Sequence, residues 1–166
     1  MDHVGGNRIM NAMNKNLWEI FDRNLIDLNR TKAFLQKSSD KCALVVNDVD
    51  QVNDDALESC EALTARFART VDILTQKVLK TIFLLLREEA KTFIDRCYLA
   101  EKLGLIDDAQ QLINVRDLRS EIVHEYSQME LKVLFQETVS ASKILISLVD
   151  QVDRYCVNFK SKMTSE

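Results

Sequence analysis

Five side chains within one short stretch carry groups suited to phosphate and proton chemistry: Arg116, Arg119, Ser120, His124 and Tyr126. The sequence has only one other histidine, His3, near the N-terminus. A histidine titrates near neutral pH, so it can take a proton from a ribose 2′-OH or give one to a leaving oxygen. A guanidinium can hold a phosphate through two hydrogen bonds and stabilise the charge that builds in the transition state. A hydroxyl from Tyr126 or Ser120 can help position that phosphate. The chemistry this set suits is RNA cleavage without a metal. The same spacing also arises by accident, as a histidine ending a helix with arginines in surface ion pairs.

The elements that hold these groups must be helices. The chain has 166 residues, no proline and three glycines, two of them Gly5 and Gly6. Sheets need turn residues often, and this sequence lacks them. Hydrophobic residues make up 46% and charged residues 29%, which suits one domain with a sizeable core. The expected architecture is all-α: an up-and-down bundle of four to five long helices. Wide apolar faces on those helices point towards a dimer.

Residues 1–11 read as a disordered leader, 12–160 as a single helical domain and 161–166 as a tail. Helix 1 is predicted from about Met13 to Ser38–Ser39 or on to Val46, with Leu17, Ile20, Phe21, Leu25, Leu28 and Leu35 as its apolar stripe. The Asp/Asn-rich segment from Asn47 to Asp55 lacks the glycine and closing glutamate of an EF-hand, so it reads as a capping connection. Helix 2 is predicted from Asp55 to Arg87, carrying Cys60, Leu63, Phe67, Val71, Leu74, Val78 and Ile82. Helix 3 is predicted from Glu88 to Leu103 and closes on Gly104, with Leu105 as the capping contact. Helix 4 starts at Asp107 or Asp108 and carries Ala109, Leu112, Ile113, Arg116, Ser120 and Val123. Helix 5 is predicted from Met129 to Phe159, with Val133, Leu134, Val139, Ile144, Leu148 and Val152.

The formal net charge is −4, which disfavours a general nucleic-acid coater but allows a small anion-binding cleft. Cys42, Cys60, Cys97 and Cys156 are too scattered for a zinc site, so no metal or other cofactor is expected. They read as buried free thiols, which fit a reducing, cytoplasmic setting. The most apolar run, Ile82 to Leu86, is far too short to cross a membrane.

Geometry limits how the five groups combine. On an ideal helix, residues five apart point about 140° away from each other. Arg119 and His124 therefore serve one cleft only if the helix loosens, if the long arginine wraps round, or if two copies meet. Arg119 and Tyr126 share a face, as do Arg116 and Arg119, and Ser120 and His124. Glu121 and Glu125 flank the histidine and can hold it charged or orient its ring.

Arg119-x-x-x-x-His124-x-Tyr126 resembles the R-x4-H-x-Y motif of the HEPN superfamily. The likeness is strongest to HepT-type toxins and to the related helical proteins called nucleotidyltransferase substrate-binding proteins. The wording Leu118-Arg119-Ser120-Glu121-Ile122-Val123-His124-Glu125-Tyr126 carries it. So do Ala100 to Ile106 before the motif, and Arg66-Phe67-Ala68-Arg69 with Asp72 and Lys77 on helix 2. Where the family often has Asn after the arginine, this chain has Ser120. The resemblance implies a homodimer whose two motifs line a shared cleft. It implies the toxin of a type VII-like toxin–antitoxin module, a metal-independent endoribonuclease acting on mRNA or tRNA, with Arg119 and His124 as the catalytic pair. It also implies a nucleotidyltransferase antitoxin of the minimal (MNT) type that uses ATP to adenylylate Tyr126. Two other readings keep the same residues: a non-catalytic nucleotide- or partner-binding subunit of a nucleotidyltransferase, and a structural dimer with a decayed motif.

Overall fold

The computed structural model describes residues 3–47, 54–124 and 131–163. Among them there is no strand, and the chain forms six α-helices: α1 (His3–Val45), α2 (Asp54–Asp72), α3 (Leu79–Leu86), α4 (Phe93–Lys102), α5 (Ala109–His124) and α6 (Leu131–Met163). A π segment, Ile73–Val78, joins α2 to α3 without a break. These three pieces form one rod, so the described residues make five rods.

Helical backbone is described from His3 onward, within the stretch read as a leader over residues 1–11. With no proline present, nothing in the local sequence forces a break between Gly5–Gly6 and the stripe that follows. Of the expected connection after α1, residues 48–53 lie outside the described residues. Asp54 and Asp55 sit in the first turn of α2, where the helix dipole favours negative charge.

Rod directions follow from the contacts. Between α1 and the second rod, Asn24 bonds Thr81 and Ser38 meets Arg66, so numbers rise on one as they fall on the other. Between α1 and α6, Asn29 bonds Asp153, Lys32 bonds Asp150, and Asn47 beyond the helix end meets Gln136. Both pairs are antiparallel, which is the up-and-down arrangement. Helix α5 then packs against α2, α4 and α6.

The seams repeat every seven residues, as helices packed along one another require. In α1, Phe21, Leu28, Leu35 and Cys42 are fully buried. In α6 the buried line is Phe135, Thr138, Ser142, Leu145, Val149, Val152 and Cys156. This corrects the expected stripe in part: Val133 is 55% exposed and Ile144 38% exposed, while Leu148 and Val152 are buried as expected. The true line contains two hydroxyls. Each donates to the carbonyl four residues back, Thr138 to Leu134 at 2.7 Å and Ser142 to Thr138 at 2.6 Å, so neither is buried unsatisfied.

The second rod shows why a π segment sits where it does. Ala56, Cys60, Leu63, Phe67, Thr70 and Leu74 form its seam in alternating steps of four and three. The next step of three would bury Lys77. Leu79 N–H instead bonds Leu74 O, five residues back. The wide turn absorbs one extra residue, so Val78 and Ile82 take the seam while Lys77 stays exposed.

Two of the shorter helices close with the same capping turn. At the end of α4, Gly104 N–H bonds Glu101 O and Leu105 N–H bonds Ala100 O, with Gly104 at φ +77° and Leu105 fully buried. At the end of α3, Arg87 takes the glycine's role at φ 56°. Its N–H bonds Leu84 O while Glu88 N–H bonds Phe83 O. Helix α4 begins later than predicted, because Thr92 and Asp95 form a reciprocal capping box with bonds of 3.1 and 3.0 Å.

Candidate functional site

Helix α5 carries the candidate residues. Its inner line is Ala109, Leu112, Val115 and Ile122, all buried. Arg119 falls on that same line, between Val115 and Ile122. It is an arginine at a position where the helical period calls for an apolar residue, and the packing supplies an acid to meet it. Asp72, the last residue of α2 before the π segment, accepts from Arg119 Nε at 2.9 Å and from Nη2 at 2.8 Å. This is the planar two-bond fork that a carboxylate and a guanidinium form best. The Asp72 bonds hold the guanidinium protonated still more firmly than usual.

Both partners keep access to water. The Arg119 side chain is 31% exposed and Asp72 44%. The side-on fork uses Nε and one face of Nη2. Among the described residues, the Nη1 end has no hydrogen-bond partner and remains available to an oxyanion. Asp72 thus fixes the arginine without covering it. Arg66, Arg69 and Lys77 lie on the same rod as Asp72. The structure pairs it instead with the arginine across the interface.

Arg116 goes elsewhere. Its guanidinium lies 5.0 Å from the Phe93 ring on α4 and 3.5 Å from the Asp117 carboxylate. Although three residues from Arg119, it does not join that guanidinium. The Ser120 hydroxyl donates to Arg116 O at 3.1 Å, which ties its proton to its own helix and leaves its lone pairs to accept. His124 is the last residue of α5. Its side chain lies outside the described residues, as do Glu125 and Tyr126 entirely.

The helix is regular α throughout Ala109–His124. Of the three ways to bring Arg119 and His124 to one cleft, loosening between them is therefore excluded. A wrapped side chain or a second copy of the helix remains, and a change of course beyond His124 lies outside the described residues.

The two flanks of α5 differ in charge. Towards α6 lies a groove of about 500 Å³ with Val115, Leu118, Ala141 and Ile144 as its apolar floor and Asp117, Glu121 and Glu137 on its rim. Carboxylates there repel a polyanion, whereas on the opposite flank Arg119 meets the second rod with Asp72 as its counter-charge.

Among the described residues, no group of three or more His, Cys, Asp or Glu side chains gathers to hold a metal ion, and no helix is long and apolar enough to cross a membrane. The four cysteines are free and buried. Burial raises all four thiols, Cys97 and Cys156 to about 12, while contact with Cys60 pushes Cys42 further in the same direction.

Comparison with protein-family models, with curated proteins and with solved structures gives no match.

Proposed function

We propose that this chain is a HEPN-type toxin: a metal-independent ribonuclease acting as a homodimer, with Arg119 and His124 as its catalytic pair. The observation that carries the reading is the Asp72–Arg119 fork. It orients a partly exposed guanidinium on the flank of α5 that meets the second rod, five residues before the only histidine in the motif. Arg119 binds the scissile phosphate through its open Nη1 end, and His124 moves the proton. Ser120 and Tyr126 position the phosphate. Because α5 stays regular between Arg119 and His124, pairing of two copies of α5 is the simplest way to complete one cleft. Arg116, turned towards Phe93, has at most a peripheral role. A cognate nucleotidyltransferase antitoxin then silences the enzyme by adding AMP to Tyr126, which brings bulk and negative charge into the place of the RNA phosphate.

One observation favours a second reading. Asp72 already neutralises Arg119, as a purely structural pair would. On that reading the chain is a non-catalytic nucleotide- or partner-binding subunit of a nucleotidyltransferase. Growth on induction separates the two. The toxin reading predicts arrest with wild type and normal growth with His124→Ala. Equal growth with both, together with intact total RNA, contradicts it.

A further inference from the structure

A second basic feature lies between α1 and α2. Arg30, Thr31, Phe34, Arg66 and Arg69 line a cleft of about 300 Å³. Three of those five residues are arginines and none is a carboxylate. The nearest acid contact is Asp27, 3.7 Å from Arg30 on the same helix. In a chain of net charge −4, such a concentration of one sign calls for an explanation.

The arginines are held in a way that keeps their charge available. Arg66 Nη1 donates to the buried Ser38 hydroxyl at 2.5 Å and to Phe34 O at 3.4 Å. Its guanidinium also lies over the Phe34 ring, 5.5 Å from the centroid. All three partners are neutral, so they fix the fork without cancelling its charge. Arg69 is exposed and, among the described residues, has no ion-pair partner. Phe34 is 46% exposed, an apolar surface beside the cations. Positioned guanidinium groups next to an accessible aromatic ring are what a nucleotide phosphate with its sugar and base requires.

Position adds to chemistry. Arg66, Arg69 and Asp72 follow at steps of three, each about 4.5 Å along the helix. That row winds from the α1 side to the α5 side of the rod. It links the cleft to the Asp72–Arg119 fork.

We propose that the α1/α2 cleft is a second phosphate site, distinct from Arg119, in which Arg66 and Arg69 grip the phosphate of a nucleotide unit and Arg30 closes one side. That the phosphate belongs to an RNA strand rests on the ribonuclease reading. The affinity for phosphate does not.

The test is fluorescence anisotropy at low salt in EDTA, with a labelled 2′-O-methyl oligouridylate of about ten nucleotides. This probe lacks the attacking hydroxyl, so binding is read without cleavage. Arg66→Gln and Arg69→Gln should each weaken binding about tenfold and lower the salt slope by about 0.7, while Lys102→Gln on α4 should not. Unlabelled AMP that competes, and does so less well against Arg69→Gln, identifies a mononucleotide site. AMP that fails to compete identifies a strand-backbone site. Arg69 is exposed, so its replacement leaves the buried core in place, and unchanged affinity in Arg69→Gln and Arg66→Gln overturns the site. So does a wild type that binds neither probe. A protein that binds with this pattern yet never cleaves RNA contradicts the ribonuclease reading alone.

Discussion

Arg119 on α5 and Asp72 at the end of α2 are joined by two parallel hydrogen bonds of 2.9 and 2.8 Å, at a position of α5 where the packing line is otherwise apolar. The pair separates positioning from stability. With both groups partly in water, the interaction contributes about 1 kcal/mol or less. A long apolar residue can replace Arg119 in the seam without leaving a buried charge.

Arg119→Met should therefore keep its unfolding free energy within about 1 kcal/mol of wild type by urea titration. It should also lose RNA cleavage completely. Asp72→Asn should retain folding and some cleavage, with kcat reduced about tenfold as the arginine loses its orientation. Cleavage by Arg119→Met at the wild-type rate would remove the arginine from the mechanism.

Regulation is tested at Tyr126. On the toxin reading, incubation with a cognate nucleotidyltransferase and ATP should raise the mass by one or more AMP units on the peptide containing that tyrosine. A Tyr126→Phe protein that gains the same mass would refute the assignment.

Arg87 occupies the left-handed region at the end of α3, where Gly104 serves the equivalent turn of α4. An L-residue there costs about 1–2 kcal/mol, partly offset by the extra freedom glycine gives the unfolded chain. Arg87→Gly should stabilise the protein by about 0.5–1 kcal/mol in urea titration. Destabilisation would mean that the arginine side chain contributes more than its backbone costs.

The capping box of α4 sets a pH dependence. Bonds from Thr92 lower the Asp95 carboxyl below its ordinary 3.8. A folded pKa below the unfolded one adds stability above the unfolded value, and that stability is lost as pH falls through the folded pKa. Asp95 should titrate below 3.8 by NMR, and Thr92→Val should move it back up. An Asp95 midpoint unchanged by Thr92→Val would dismiss the box.

All four thiols are raised by burial. Below the raised pKa they stay protonated, so iodoacetamide at pH 8 should label native protein far more slowly than urea-unfolded protein. Rapid labelling of any of them, read by mass spectrometry, would contradict the packing.

The fold was legible where pattern and packing agree. The absence of proline, the seven-residue spacing of Phe21, Leu28 and Leu35, and Gly104 followed by Leu105 all led to the observed helices. The α6 seam was legible at Leu148 and Val152 but not at Thr138 and Ser142, which read as polar although each satisfies its hydroxyl on its own helix. The late start of α4 is encoded in Thr92-x-x-Asp95, a signal masked by the helical pattern on either side of it. Arg119 was legible as a motif residue. Its partner was not, because Asp72 meets it only through the packing of α5 on α2. The signal that could have found the pair is an arginine on an apolar line, which demands a buried or half-buried acid opposite.

The most direct measurement is cleavage of total RNA by purified protein in EDTA. The account predicts that wild type degrades RNA with the metal chelated, and that His124→Ala, folded to the same extent by circular dichroism, leaves it intact. RNA cut equally by both proteins, or by neither, would contradict it.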